Sequence, residues 1–187
     1  MQVRRSLAFG SEISPEKVDE KELAEAYAFF LNHYREHKLD CTRAYSGALD
    51  SLNALQQLQN GVQRTMAVMT NKPEEPALGI CEGLGLSHYF IHIYGGDSFP
   101  TKKPDPSVLR MLMKEVGATP EETVLIGDSH VDVMTARNAG VWCLGCAFGF
   151  GPQNLMDTPP DVVVDSASDW AAVLSPARIT TPPGEKA

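Results

Sequence analysis

Hydrophobic residues along this chain fall into two alternating patterns. Five short apolar runs occupy residues 65–70, 91–94, 123–127, 141–144 and 161–164. Runs this short and this apolar are typical of strands that are buried on both faces. Between them, apolar residues recur at spacings of three and four, which predicts helices. Because parallel strands need helical crossovers, the region from 62 to 174 is predicted to be a doubly wound α/β sheet.

A long amphipathic helix is predicted before the sheet. Ser14 and Pro15 are a typical helix start, with a capping hydroxyl followed by a proline at the first helical position. Apolar and aromatic residues then recur at helical spacing to about His37. The tail is rich in Pro, Thr and Gly, which predicts disorder. We therefore predict three parts: a helical segment at 1–45, an α/β core at 46–175 and a disordered tail at 176–187.

Other helix boundaries are marked by polar, proline and glycine residues. Ser46 is predicted to cap a second helix that ends before Gly61. Gly117 is predicted to stop the helix that begins near residue 107. Residues 119–122, Thr-Pro-Glu-Glu, match a capping box before the strand at 123–127.

Composition narrows the class of protein. The chain has 187 residues with 43% hydrophobic and 21% charged residues, which are ordinary values for a globular domain. A net charge of −8 without a basic stripe argues against nucleic-acid binding. No apolar run reaches membrane-spanning length and the first residues contain no signal-peptide core, so we expect a cytoplasmic protein without a membrane partner.

Two of the four cysteines form a Cys-x-x-Cys sequence at Cys143 and Cys146. A redox motif of this kind works at a helix N-terminus, where the dipole lowers the thiol pKa. Here the pair lies in a predicted strand, and residues three apart on a strand point to opposite faces. We therefore expect reduced, structural cysteines and no zinc site.

Polar side chains stand at the predicted carboxyl ends of several strands. Thr70 ends one strand, Asp128 follows the apolar run 123–127, and Asp132 falls in the first turn of the next helix. Lys103 lies in a loop that Pro104 and its neighbouring proline stiffen. Taken alone, a Gly-Asp turn or an acid near a helix N-terminus needs no functional explanation.

Together, these groups suit phosphoryl transfer. A hydroxyl can donate to a phosphoryl oxygen, a lysine can neutralise its charge, and carboxylates can hold Mg²⁺. Parallel α/β sheets place their active sites outside the carboxyl ends of the strands. The sequence therefore predicts that Thr70, Lys103 and Asp128 converge on one phosphate-and-magnesium pocket.

These motifs resemble those of the haloacid dehalogenase superfamily, in its phosphoglycolate phosphatase-like branch with a helical cap. Residues 69–73 resemble the second family motif, residues 95–106 the third and residues 127–132 the fourth. The resemblance implies that Thr70 and Lys103 are catalytic, that Thr70, Asn71 and Lys103 bind phosphate, and that Asp128 and Asp132 hold Mg²⁺. It also implies a small phosphorylated metabolite as partner, such as 2-phosphoglycolate. Arg43, near the cap hinge, could reach a substrate carboxylate.

One family motif is absent. Asp-x-Asp-Gly-Thr, which in this superfamily supplies the nucleophile and the general acid/base, does not occur in the sequence. The resemblance then implies that the chain opens inside the cap, that residues 1–45 are a cap remnant, and that the core lacks its first, central strand. Residues 3–9 could occupy that position, but they lack the continuous apolar character of a buried strand.

Several functions remain open at this point. The first is a magnesium-dependent phosphomonoester hydrolase that is shortened at its N-terminus and inactive in this shortened form. The second is a non-catalytic, degenerate member that binds a phosphorylated ligand or a partner. Within enzymes, a phosphomutase or a dehalogenase of the same superfamily is the further alternative.

Overall fold

The computed structural model describes residues 19–57, 64–150, 155 and 158–174. It divides the chain into two compact units, Met1–Thr42 and Arg43–Ala187. The predicted helix start at Ser14, the segment 3–9 and the tail 176–187 lie outside the described residues. No helix in the described ranges combines the length and the apolar character that crossing a membrane requires.

In its described residues, 19–42, the first unit contains one long helix, α1 (Glu20–His37). Its N-cap is Asp19, whose carboxylate accepts a hydrogen bond from the Lys21 amide at 3.3 Å. None of the residues of α1 is buried, and Tyr27, Phe29 and Phe30 are exposed, Phe29 to 75%. The predicted amphipathic helix is thus present up to His37, but it begins at Glu20 with Asp19 as its cap rather than at Ser14.

The second unit alternates strands and helices as the sequence predicts. In chain order its elements are α2 (Ala48–Gln56), β1 (Val68–Met69), α3 (Glu74–Gly83), β2 (Ile93–Tyr94), α4 (Ser107–Val116), β3 (Val124–Gly127), α5 (His130–Ala139), β4 (Trp142–Cys146), β5 (Val162–Val164) and α6 (Trp170–Val173). Gly117 ends α4 in the left-handed conformation with φ 69°, as its predicted role as a helix stop requires. The predicted capping box is also present, since the Thr119 amide donates to the Glu122 carboxylate at 3.0 Å.

The strands form two parallel sheets, β1–β2 and β3–β4–β5. This arrangement confirms the predicted parallel α/β class. Among the described residues, β1 is paired only with β2 and β3 only with β4, so each has one edge without a strand partner. The ladder of β1 covers two residues, far fewer than the apolar run 65–70 predicts.

Both sheets contact the same apolar cluster. Leu109, Met113, Val133, Ala136, Ala139, Val141, Cys143 and Leu155 form this cluster, which joins α4, α5 and β4. Met69 of β1 and Leu125 of β3 pack against it. Because adjacent strand residues point to opposite faces, Leu144 of β4 lies in a second cluster with Cys146 and Val164. The strand tips of both sheets are therefore held over one helical layer.

The start of α2 differs from the prediction. The N-cap is Gly47 rather than Ser46, and no side chain caps the helix. Gly47 has φ 78°, a left-handed conformation that favours glycine, and a Cβ there would lie 1.9 Å from Ser168 Oγ. Close packing against the turn at Ser168 therefore decides this boundary, which local capping preference alone does not reveal.

The cysteines behave as the strand assignment predicts. Cys143 and Cys146 lie on β4 in clusters on opposite faces, and both are free thiols. Burial raises the pKa of both groups, for Cys143 to about 12. Neither is a thiolate near neutral pH, so a redox role for this pair is not supported.

Candidate active site

Thr70 and Asn71 are held in the loop between β1 and α3. The Thr70 amide donates to the Tyr94 carbonyl at 3.0 Å, and its hydroxyl oxygen accepts from the Lys72 amide at 3.2 Å. The next loop packs closely on this one, because a Cβ at Gly96 would lie 2.5 Å from the Asn71 carbonyl oxygen. The half-buried Thr70 hydroxyl keeps its own proton to donate.

Lys103 is brought to the same place by its backbone and by its side chain. The Asn71 carboxamide donates to the Lys103 carbonyl at 3.0 Å. The Lys103 ammonium lies 2.6 Å from Asp132 Oδ1, and the two side chains are 13% and 6% exposed. This ion pair joins the β1 side of the second unit to α5.

Asp132 uses both carboxylate oxygens. While Oδ1 faces Lys103, Oδ2 accepts from the Asp128 amide at 3.2 Å and from the Ser129 amide and hydroxyl at 3.1 and 2.7 Å. Ser129 and Asp132 thus form a capping box at the start of α5. A Cβ at Gly127 would lie 2.3 Å from the Asp132 side chain, which explains the glycine before Asp128.

The pKa of Asp132 reflects these contacts. Burial on its own would raise the pKa of this carboxyl, but the charge of Lys103 and the hydrogen bonds from Lys103 and Ser129 outweigh it and hold the pKa below its usual range. Asp132 is therefore ionised at neutral pH and stays paired with Lys103.

Asp128 is oriented by a loop after β4. Its Oδ2 accepts a hydrogen bond from the Phe150 amide at 2.7 Å. A Cβ at Gly149 would lie 2.2 Å from Asp128 Cβ, so only glycine lets the backbone approach this closely. The Phe150 amide thus orients the Asp128 carboxylate, whose role as a Mg²⁺ ligand stays a prediction.

The predicted site residues thus form a connected chain of contacts. Asn71 bonds to Lys103, Lys103 to Asp132, and Asp132 to the Asp128 amide. Thr70 precedes Asn71, and its side chain does not contact the other groups directly among the described hydrogen bonds.

Arg43 is exposed at the start of the second unit, and its proposed contact with a substrate carboxylate stays a prediction. His130 is exposed as well.

The donor set fits magnesium in part. Carboxylate oxygens are the ligands Mg²⁺ prefers, and this cation is commonly held by one or two of them with water and phosphate oxygens. No group of three or more His, Cys, Asp or Glu side chains in the described part of the chain could hold a metal ion. Since each carboxylate oxygen has a second lone pair, the contacts of Asp132 leave its predicted role as a ligand untested.

Sequence reasoning missed three contributors to this site. Ser129 could have been found, because Ser-x-x-Asp before an apolar stretch is a capping-box pattern. Gly149 and Phe150 could not, since they lie 21 and 22 residues after Asp128 and approach it only through the fold. No local signal marks that approach.

Comparison with known proteins identifies the family. The model of the haloacid dehalogenase-like hydrolases matches residues 6–146. The chain belongs to this family. It is 38% identical over 169 residues to phosphoglycolate phosphatase 1 of Pseudomonas aeruginosa, covering 89% of this chain and 59% of that protein. It is 39% identical over 163 residues to a phosphoglycolate phosphatase of Agrobacterium fabrum, covering 84% of this chain and 66% of that protein.

Solved structures show the same fold. The crystal structure of a predicted phosphoglycolate phosphatase from Haemophilus somnus superposes with a TM-score of 0.77 at 28% identity, covering 83% of this chain and 68% of that one. The structure of CbbY from Rhodobacter sphaeroides, in complex with phosphate, gives a TM-score of 0.67 at 21% identity, with 90% and 72% covered. The chain spans about three fifths to two thirds of the length of the phosphatases it matches.

Proposed function

We propose that this chain carries the phosphate-binding and magnesium-binding residues of a phosphomonoester hydrolase of the phosphoglycolate phosphatase type. The observation that carries the proposal is the buried Lys103–Asp132 ion pair, which is hydrogen-bonded through Asp132 to the amide of Asp128. This connection brings the Lys103 ammonium near Asp128, which follows the carboxyl end of β3. Parallel α/β proteins bind their ligands outside the carboxyl ends of the strands. The named relatives support 2-phosphoglycolate as the substrate class.

Each side chain has a separate part in this proposal. The Thr70 hydroxyl donates to a phosphoryl oxygen, and Asn71 helps to orient the phosphate through the backbone that follows Thr70. The Lys103 ammonium neutralises phosphate charge without moving, because Asp132 already holds it. Asp128 offers Oδ1 to Mg²⁺, and Asp132 keeps the loop between β3 and α5 in shape. When bound, the metal supplies positive charge that stabilises the transferring phosphoryl group.

Hydrolysis by this route also needs an attacking carboxylate. Asp-x-Asp-Gly-Thr is absent from the sequence. Asp128 accepts a hydrogen bond from the Phe150 amide and Asp132 accepts one from Lys103, so we assign neither carboxylate as the nucleophile. We therefore infer that the 187-residue chain binds phosphate and Mg²⁺ without turning over an ester. That absence also favours the second candidate, a non-catalytic member that binds a phosphorylated ligand.

Titration calorimetry with inorganic phosphate, with and without Mg²⁺, tests this proposal. The chain should bind phosphate more tightly with Mg²⁺, and Lys103→Met should weaken binding by roughly tenfold or more, the loss expected for a charge-assisted hydrogen bond. Lys102→Met is the matched control, since Lys102 is exposed beside it. Thr70→Val gives a second variant that leaves the ion pair intact.

A turnover assay tests the inference that the chain is inactive. With p-nitrophenyl phosphate and Mg²⁺, the chain should release p-nitrophenolate no faster than the same mixture without protein. A rate that disappears in Lys103→Met would show that another residue attacks and would refute the inference of inactivity. Absence of phosphate binding in a folded chain would refute both candidates.

A further inference from the structure

Two carboxamide side chains hold consecutive carbonyl groups of the loop that carries Lys103. Asn71 donates to the Lys103 carbonyl at 3.0 Å, and Asn138 donates to the Pro104 carbonyl at 3.0 Å. The donors come from different elements, the loop after β1 and the last turn of α5. The backbone of residues 103 and 104 is therefore hydrogen-bonded by two separate elements.

Asn138 also relates the lysine to the helix that bears its partner. Asp132 lies in the first turn of α5 and Asn138 six residues later, about 9 Å along the helix axis at 1.5 Å per residue. The Lys103 side chain bonds to the first position and the Pro104 carbonyl to the second. The loop is thereby aligned along α5 at two points.

The backbone of Asn138 is also held by a hydrogen bond, separately from its side chain. Its carbonyl accepts a hydrogen bond from the Arg110 guanidinium of α4. The Asn138 side chain can therefore be changed while the contact between α4 and α5 is kept. This property makes the residue suitable for substitution.

These two amide contacts contribute more to geometry than to folding stability. Asn71 and Asn138 are exposed, and hydrogen bonds that compete with water add little net stability. The Lys103 ammonium, by contrast, is nearly enclosed, and a displacement of its backbone would draw it away from Asp132. A site of this kind depends on charge held within a fraction of an ångström.

We propose that Asn138 is a positioning residue for Lys103, acting with Asn71 through the carbonyls of residues 103 and 104. Its importance for binding rests on the proposed function, in which Lys103 neutralises phosphate. Asn138→Leu removes the donor while keeping a side chain of similar size. Asn71→Leu removes the other donor, and Met134→Ala, at an exposed position one turn earlier on α5, is the matched control.

Competitive lysine labelling of the full chain, read by tandem mass spectrometry, tests the proposal without any ligand. Lys102 is exposed and serves as the internal reference for Lys103. We expect the ratio of Lys103 to Lys102 labelling to rise by roughly threefold to tenfold in Asn138→Leu and in Asn71→Leu, the factor that one hydrogen bond commonly represents. Met134→Ala should leave the ratio unchanged. Inorganic phosphate affinity should fall in parallel in the two Leu variants.

The outcomes separate this proposal from the proposed function. An unchanged ratio in a folded Asn138→Leu variant overturns the positioning role. So does a rise that comes with a lower urea midpoint, because that indicates general loosening of the fold. A selective rise in a chain that binds no phosphate supports the positioning role and refutes the proposed function.

Discussion

The two parallel sheets of the second unit differ in size and in how they are covered. The β3–β4–β5 sheet has strands of three to five residues and apolar clusters on both faces. The β1–β2 sheet has strands of two residues and its own small cluster of Ala77, Cys81 and Ile93. The larger sheet therefore has the more extensive packing, and we expect it to be the more stable of the two.

Polar contacts connect the site residues that follow the two sheets. Thr70 and Asn71 follow β1, whereas Asp128 and Asp132 follow β3, and the bonds between the two sets run through Lys103. Burial thus fixes one half of the site, while directional bonds fix the position of the other half. Three substitutions or conditions can test this difference.

Removing the link should have the largest effect. Asp132→Ala leaves the Lys103 ammonium buried without its partner and deprives the start of α5 of its cap, so we expect a loss of about 3–5 kcal/mol in the free energy of unfolding. Urea unfolding measures it. Asp165→Ala, at an exposed position after β5, should change stability by less than about 0.5 kcal/mol. A loss for Asp132→Ala no greater than that of the control would contradict the role of the link.

Cavities in the two sheets should differ next. Leu144, 1% exposed in the central strand β4, should cost about 2–5 kcal/mol when changed to Ala. Ile93→Ala, in the smaller cluster, should cost less in global unfolding and speed amide exchange mainly in β1 and β2. Urea unfolding and hydrogen exchange measured residue by residue check the pair. Equal global losses with exchange spread over both sheets would show that they unfold as one unit.

Alkaline pH should lower the free energy of unfolding gradually, in part through the Cys143 thiol of the larger sheet. Burial, reinforced by the charges of Asp132 and Asp161, raises the pKa of the Cys143 thiol to about 12. Between about pH 9 and 12 the unfolded chain has lost a proton that the folded chain retains. Stability is therefore complete below this range and falls through it by about 1.4 kcal/mol per pH unit.

Urea midpoints measured from pH 8 to 11 test this slope. Cys143→Ala should make it shallower without abolishing it, because burial also raises the pKa of Cys81 and Cys146. Cys41→Ala, at an exposed thiol, should leave it as in the unchanged chain. Identical slopes in all three proteins would refute a contribution from Cys143.

Local patterns in the sequence predicted many of the strands and helix ends of this fold. Short apolar runs marked the five strands of the described residues, and the glycine after α4 marked its stop, because burial and helix termination depend on neighbouring residues. Gly127 could be interpreted only as a turn residue. Its close approach to Asp132 depends on the capping box that folds the carboxylate back over the strand end.

The sequence by itself determined which groups stand at the strand ends: Thr70, Lys103 and Asp128 are chemically suited to phosphate and magnesium wherever a parallel sheet gathers them. Only the tertiary structure decided how they are held, with Lys103 against Asp132, Asn138 on the Pro104 carbonyl and the Phe150 amide on Asp128. The physical reason is distance along the chain. Periodicity and capping act over a few residues, whereas these hydrogen bonds join segments 22 to 34 residues apart and exist only after the helices have packed on the sheets.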